Sequence, residues 1–144
     1  MEAKNFRIGN LVRIKPTALH ADGCSNIENK YFEIGELKND VVHFKGFHAG
    51  EYYKDIEGIP LNNGLLSLYG FRRSAVDAVS FLPVPQIKSE IHFENHNYGQ
   101  VVSLQCSTGC FIPNDIKYFH QLQNLFFAIT GQELELKHER SACG

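Results

Sequence analysis

Between Lys117 and Thr130, Phe119, Leu122, Phe126 and Ile129 recur at steps of three and four, Leu125 widens the stripe, and Gly131 follows. That is the period of an α-helix with one apolar face, and such a face has to be laid on something. Upstream the period changes to two. Phe32 and Ile34 flank Glu33, Val42 and Phe44 flank His43, Ile91 and Phe93 alternate with Glu90, His92 and Glu94, and Val102, Leu104 and Cys106 alternate with Val101, Ser103 and Gln105. Alternation over such short runs marks half-buried antiparallel strands. One amphipathic helix covering short strands defines an α+β fold. The chain has 144 residues, 43% of them hydrophobic and 21% charged. A chain of that size buries roughly two-thirds of its surface on folding, so its core needs neither a disulfide nor a metal.

The order of segments refines this. Phe6 to Ile14 holds two β-like runs broken by Gly9-Asn10, a pair suited to a tight turn. A long loop, Lys15 to Asn29, precedes strands at Tyr31–Leu37, Val41–Lys45 and Glu51–Lys54, and Asp55 to Leu61 closes the series at Pro60. Short, bent strands in this number predict an SH3-like small β-barrel over residues 1–61. Residues 62–144 then form antiparallel strands plus the C-terminal helix, packed as one compact unit. Asn62 or Asn63 caps a short helix through Leu65, Leu66 and Leu68, with Gly70 after its end. Strands follow at Val76–Leu82, Glu90–Glu94 and Gln100–Cys106, with Pro83 and Pro85 at an edge or loop. By its face Cys106 is expected to pack as a small buried hydrophobe, and Asp115 to complement the dipole of the late helix.

Several chemistries lack their residues. No GxSxG, HExxH, GxxxxGK or GxGxxG string occurs, so no enzymatic activity and no cofactor are expected. The N-terminus has no apolar signal core and no run has the length of a membrane span, so the chain reads as soluble and cytoplasmic, with no membrane partner. Its cysteines read as reduced thiols. A metal set can be assembled from His92, His96, Cys106 and Cys110, but HxxxH is poorly placed on a strand, and no metal site is assigned.

Two surfaces remain. His120, Gln123, Asn124 and Phe127 fall at i, i+3, i+4 and i+7, a polar stripe bearing an aromatic. It reads either as a partner-binding surface anchored by Phe127 or as side chains that brace neighbouring loops and satisfy buried backbone. The second surface is basic. Lys4, Arg7, Arg13 and Lys15 lie in or near the first strand, Arg72 and Arg73 follow the short helix, and Phe47, Tyr52 and Tyr53 offer stacking faces for RNA or DNA. Against this, the formal net charge is -2, which lacks the electrostatic footprint of an autonomous nucleic-acid binder.

The string Ile-Lys-Tyr-Phe-His-Gln-Leu-Gln-Asn-Leu-Phe-Phe-Ala-Ile-Thr-Gly-Gln-Glu-Leu at 116–134, with Arg-Ile-Gly-Asn-Leu-Val at 7–12 and Ile-Pro-Leu at 59–61, resembles uncharacterised small proteins of Bacteroidetes genomes and their phages. The resemblance implies a phage or mobile-element origin and assigns no catalytic residue. By analogy with small phage proteins, it implies a non-enzymatic accessory protein that binds and modulates a host protein or nucleoprotein complex, an anti-CRISPR-like inhibitor being the sharpest form. An RNA/DNA-binding module using the basic first strand is the alternative.

Overall fold

In the computed structural model, which describes residues 6–15, 31–47, 50–75, 79–96, 99–113 and 116–137, the alternating runs become two antiparallel sheets and the late stripe becomes a helix. The first sheet holds β1 (Leu11–Ile14), β2 (Phe32–Leu37), β3 (Val41–Phe44), β4 (Gly50–Tyr52) and β5 (Ile56–Gly58), in the order β4-β3-β2-β1-β5. The second holds β6 (Arg72–Arg73), β7 (Val79–Val84), β8 (Ser89–His96), β9 (Gly99–Cys106) and β10 (Gly109–Phe111), in the order β10-β9-β8-β7-β6. Two helices, α1 (Asn63–Leu68) and α2 (Phe119–Thr130), complete a mixed α+β fold. The chain forms two compact units. Among the described residues, one runs to Pro60 and takes back Tyr118–Asn124; the other is Leu61–Lys117 with the chain from Leu125 to Lys137.

In the first unit the break anticipated at Gly9-Asn10 is a turn. Gly9 adopts φ +92°, a left-handed conformation that a Cβ would oppose, and Asn10 closes the turn by accepting the Arg7 amide at 2.7 Å. β2 is shared: its first residues pair with β1 and its later ones with β3, with a register shift between Ile34 and Glu36 that bends it. A 3-10 turn at Tyr53–Asp55 then returns the chain to β5, which lies beside β1. Val12, Ile14, Phe32, Ile34, Val42, Phe44 and Ile56 close a core with Phe6, in which the Phe32 and Phe44 rings stack at 4.8 Å. β4 and β5 lie at opposite ends of the ladder. The pairings among the described residues are those of a bent open sheet, and the closed SH3-like barrel is not established by them. The loop from Lys15 to Asn29 lies outside the described residues except for Lys15 itself, as does Asp115.

In the second unit Asn62 is the cap of α1, its Oδ1 accepting the Leu65 amide at 2.8 Å. Gly70 takes φ +94° after the helix end. β8 and β9 form a long hairpin whose registers put Ile91, Phe93 and Val102 on the buried face. Pro83 sits within β7 opposite Glu90, in a stretch of β7 beyond the reach of the two-residue β6, so its missing amide proton breaks no ladder bond on that side. Two expectations change. β6 and β10 are additional short strands, and Cys106 is exposed where β9 runs into its turn, so it is not a buried hydrophobe. Face parity gave the correct side of the sheet, but the strand outlasts the core there.

Candidate functional site

The helical stripe resolves residue by residue. The first turns of α2 lie in the same unit as β1, tied by the Phe119 amide donating to Ile59 at 2.8 Å. From this position Gln123 reaches the backbone of the first turn. Its Oε1 accepts the Leu11 amide at 2.8 Å and its Nε2 donates to the Gly9 carbonyl at 3.2 Å. The Asn124 Oδ1 accepts from Asn10 Nδ2 at 2.9 Å and from Arg7 Nε at 3.0 Å. His120 is 0% exposed, 4.9 Å from the Phe6 ring and stacked at 5.9 Å on Tyr118, with neither ring nitrogen hydrogen-bonded. Burial pushes its pKa down to about 4. The expected contact stripe is therefore corrected: His120 and Gln123 are interior, Asn124 is half-buried, and Phe127 alone of the four is exposed, at 40%. The period was right, but the amides face backbone groups that need partners.

The basic residues are also partly spent. Arg13 is held by Glu57 at 2.6 Å, its cross-strand neighbour on β5, and Arg7 is engaged by Asn124. Lys15 is half-buried beside the first sheet, its amide donating to Asp55 at 2.8 Å. Arg72 and Arg73 are both exposed on β6 and belong to the other unit, so the five do not form one patch within a unit. Besides charged side chains such as Lys45, the first unit exposes two aromatic rings. Phe47 is 49% and Tyr52 56% accessible. Phe47 leans edge-on against the core ring of Phe32 at 5.4 Å, and Lys54 covers the Tyr52 ring at 5.8 Å. Tyr53 is packed against the core instead, its hydroxyl donating to the Lys38 carbonyl at 2.9 Å.

The second unit has a shallow groove of about 350 Å³ lined by Pro83, Pro85, Lys88, Glu90, Gln105 and Cys106 among others. Lys88 adopts φ 52° there, closing the turn between β7 and β8. The Thr108 hydroxyl, 3.4 Å from the Cys106 sulfur, is the main influence holding that thiol below its ordinary pKa, with the Thr108 and Gly109 backbone adding to it. Cys110 pairs with Gln105, whose Nε2 donates to its sulfur at 3.0 Å. The two thiols thus project from opposite faces of the β9–β10 hairpin. Cys106 is paired with Ser89 and His96 with Gly99, at opposite ends of the β8–β9 ladder, about 23 Å apart at the usual strand rise. His92 and His96 instead bond Glu90 and Glu94 on their own strand, at 3.1 and 2.7 Å, and the described residues contain no cluster of metal-ligating side chains. The groove was not anticipated. Its signal in the sequence is Ser107-Thr108-Gly109, a turn string that places Cys106 at a hairpin end. No helix among the described residues is long and apolar enough to cross a membrane. Compared with known proteins, the chain matches no family model, no curated protein and no solved structure.

Proposed function

We propose that the protein is a non-enzymatic accessory protein, of phage or mobile-element type, that acts by occupying the surface of a host protein or nucleoprotein complex, an anti-CRISPR-like inhibitor being its sharpest form. One observation carries this reading: the first unit exposes Phe47 and Tyr52 while Arg7 and Arg13 of the same unit are engaged internally. Exposed aromatics anchor protein contacts, whereas a phosphate grip needs cations that can release counterions. The partner surface of this reading is the end of the first sheet around Phe47 and Tyr52. Affinity capture from host lysate is the test. A specific partner held by the wild type and lost by F47S/Y52S, with the circular dichroism spectrum unchanged, supports the reading; equal capture by both refutes it.

The exposed pair Arg72 and Arg73 favours a second reading, local RNA or DNA contact made within such a complex. Titration of labelled RNA and DNA against salt tests it. Removal of two phosphate contacts in R72A/R73A is expected to lower the log–log salt slope by about 2, and an unchanged slope eliminates the reading.

A further inference from the structure

Among the described residues, β10 ends the second sheet and no strand is paired to its outer side. The other sheet ends carry charge, Glu51 on β4, Glu57 on β5, and Arg72 and Arg73 on β6, the usual defence against edge pairing. β10 carries none, and the sequence from Asn95 through Asn114 contains no Asp, Glu, Lys or Arg. Its Phe111 is 61% accessible, and Ile112, the residue after the strand, 59%.

The register shows which backbone groups face outward. Cys106 and Gly109 flank a two-residue loop, so they form a hydrogen-bonded pair, and the next pair, Gln105 with Cys110, is a non-bonded one. The closing pair of the β8–β9 hairpin, His96 with Gly99, sets the same phase independently: counting in twos from His96 makes Glu90 and Gln105 bonded to each other, which turns Gln105 away from β10. The amide and carbonyl of Cys110 therefore point into the open edge. An antiparallel strand centred on Cys110 exchanges both bonds with it.

We propose that this strand is β10 of a second copy of the chain, paired about a two-fold axis through Cys110 so that two five-stranded sheets join into one. The edge is complementary to itself in this register. Phe111 falls opposite the partner copy's glycine at position 109, which leaves room for the ring, and the reverse contact is identical by symmetry. A strand without charge meets no like-charge repulsion from its own copy. The two Cys110 residues face each other with Cα atoms about 5.5 Å apart, inside the disulfide range.

Cys110 is thus a built-in reporter. Under reducing conditions, light scattering of the wild type is expected to give a dimer mass, and F111K and I112K, each placing a charge at the edge, to weaken dimerisation at least about tenfold with unchanged circular dichroism. Diamide, which takes up the two electrons and two protons released as the S–S bond forms, is expected to convert C24S/C106S/C143S into a covalent dimer and to leave C24S/C110S/C143S uncrosslinked. A wild type that stays monomeric at all concentrations overturns the proposal, whether or not it captures an extended peptide instead. A dimer indifferent to both lysine variants, or equal crosslinking through Cys106 and Cys110, overturns it as well.

Discussion

His120 occupies an apolar pocket as a neutral ring, with its folded-state pKa near 4 against an ordinary value of 6.5. The unfolded chain takes up a proton below pH 6.5 while the folded one resists until about pH 4, so stability is complete above 6.5 and is lost progressively as the pH falls through that window. At about 1.4 kcal/mol per unit the loss amounts to about 3 kcal/mol; urea denaturation at stepped pH is expected to show it, and H120L to flatten it. Gln123 satisfies two backbone groups at once, the Leu11 amide and the Gly9 carbonyl. Q123L keeps the volume and strands both, at an expected cost of about 1–3 kcal/mol in the same assay. Cys106, whose thiol is held below its ordinary pKa through Thr108, is expected to be alkylated faster than Cys110. Peptide mass spectrometry after timed iodoacetamide treatment reads both rates, and T108V is expected to slow the first.

At the scale of elements, α1 depends on its cap. Replacing Asn62 with Ala leaves the Leu65 amide without its acceptor and is expected to cost about 1 kcal/mol of stability by thermal denaturation. The cap was legible because it needs only local sequence, as were the two periodicities that set α2 apart from the strands. β6 and β10 were not, since two or three residues hold too little alternation to declare a strand, and each exists through its neighbour's free edge. Pro83 argued for an edge or a loop, and it stands in β7 where β6 no longer reaches, a choice the sequence alone does not make. The polar stripe of α2 failed for a related reason. Whether Gln123 meets solvent or the amide of Leu11 is decided by a contact 112 positions away in sequence, and no local pattern carries that information.

For the whole molecule, the consequential feature is that the first unit is discontinuous, its sheet ending near Pro60 and its last elements arriving with Tyr118–Asn124. Phe119 and Leu122 are 0% and 1% exposed, and burying each is worth about 1.5–3 kcal/mol. A fragment ending at residue 61 lacks both, together with Gln123, and is expected to be unfolded by heteronuclear NMR, whereas the full chain gives dispersed spectra. During synthesis this geometry imposes a delay. At about 5–20 residues per second the ribosome needs several seconds to pass from Pro60 to Asn124, and throughout that interval the strands of the first unit are in the cell without the segment that completes them. The nascent chain is then the form most exposed to chaperones and proteases, so a synonymous change in translation speed between those positions would alter the yield of a protein whose sequence it leaves untouched.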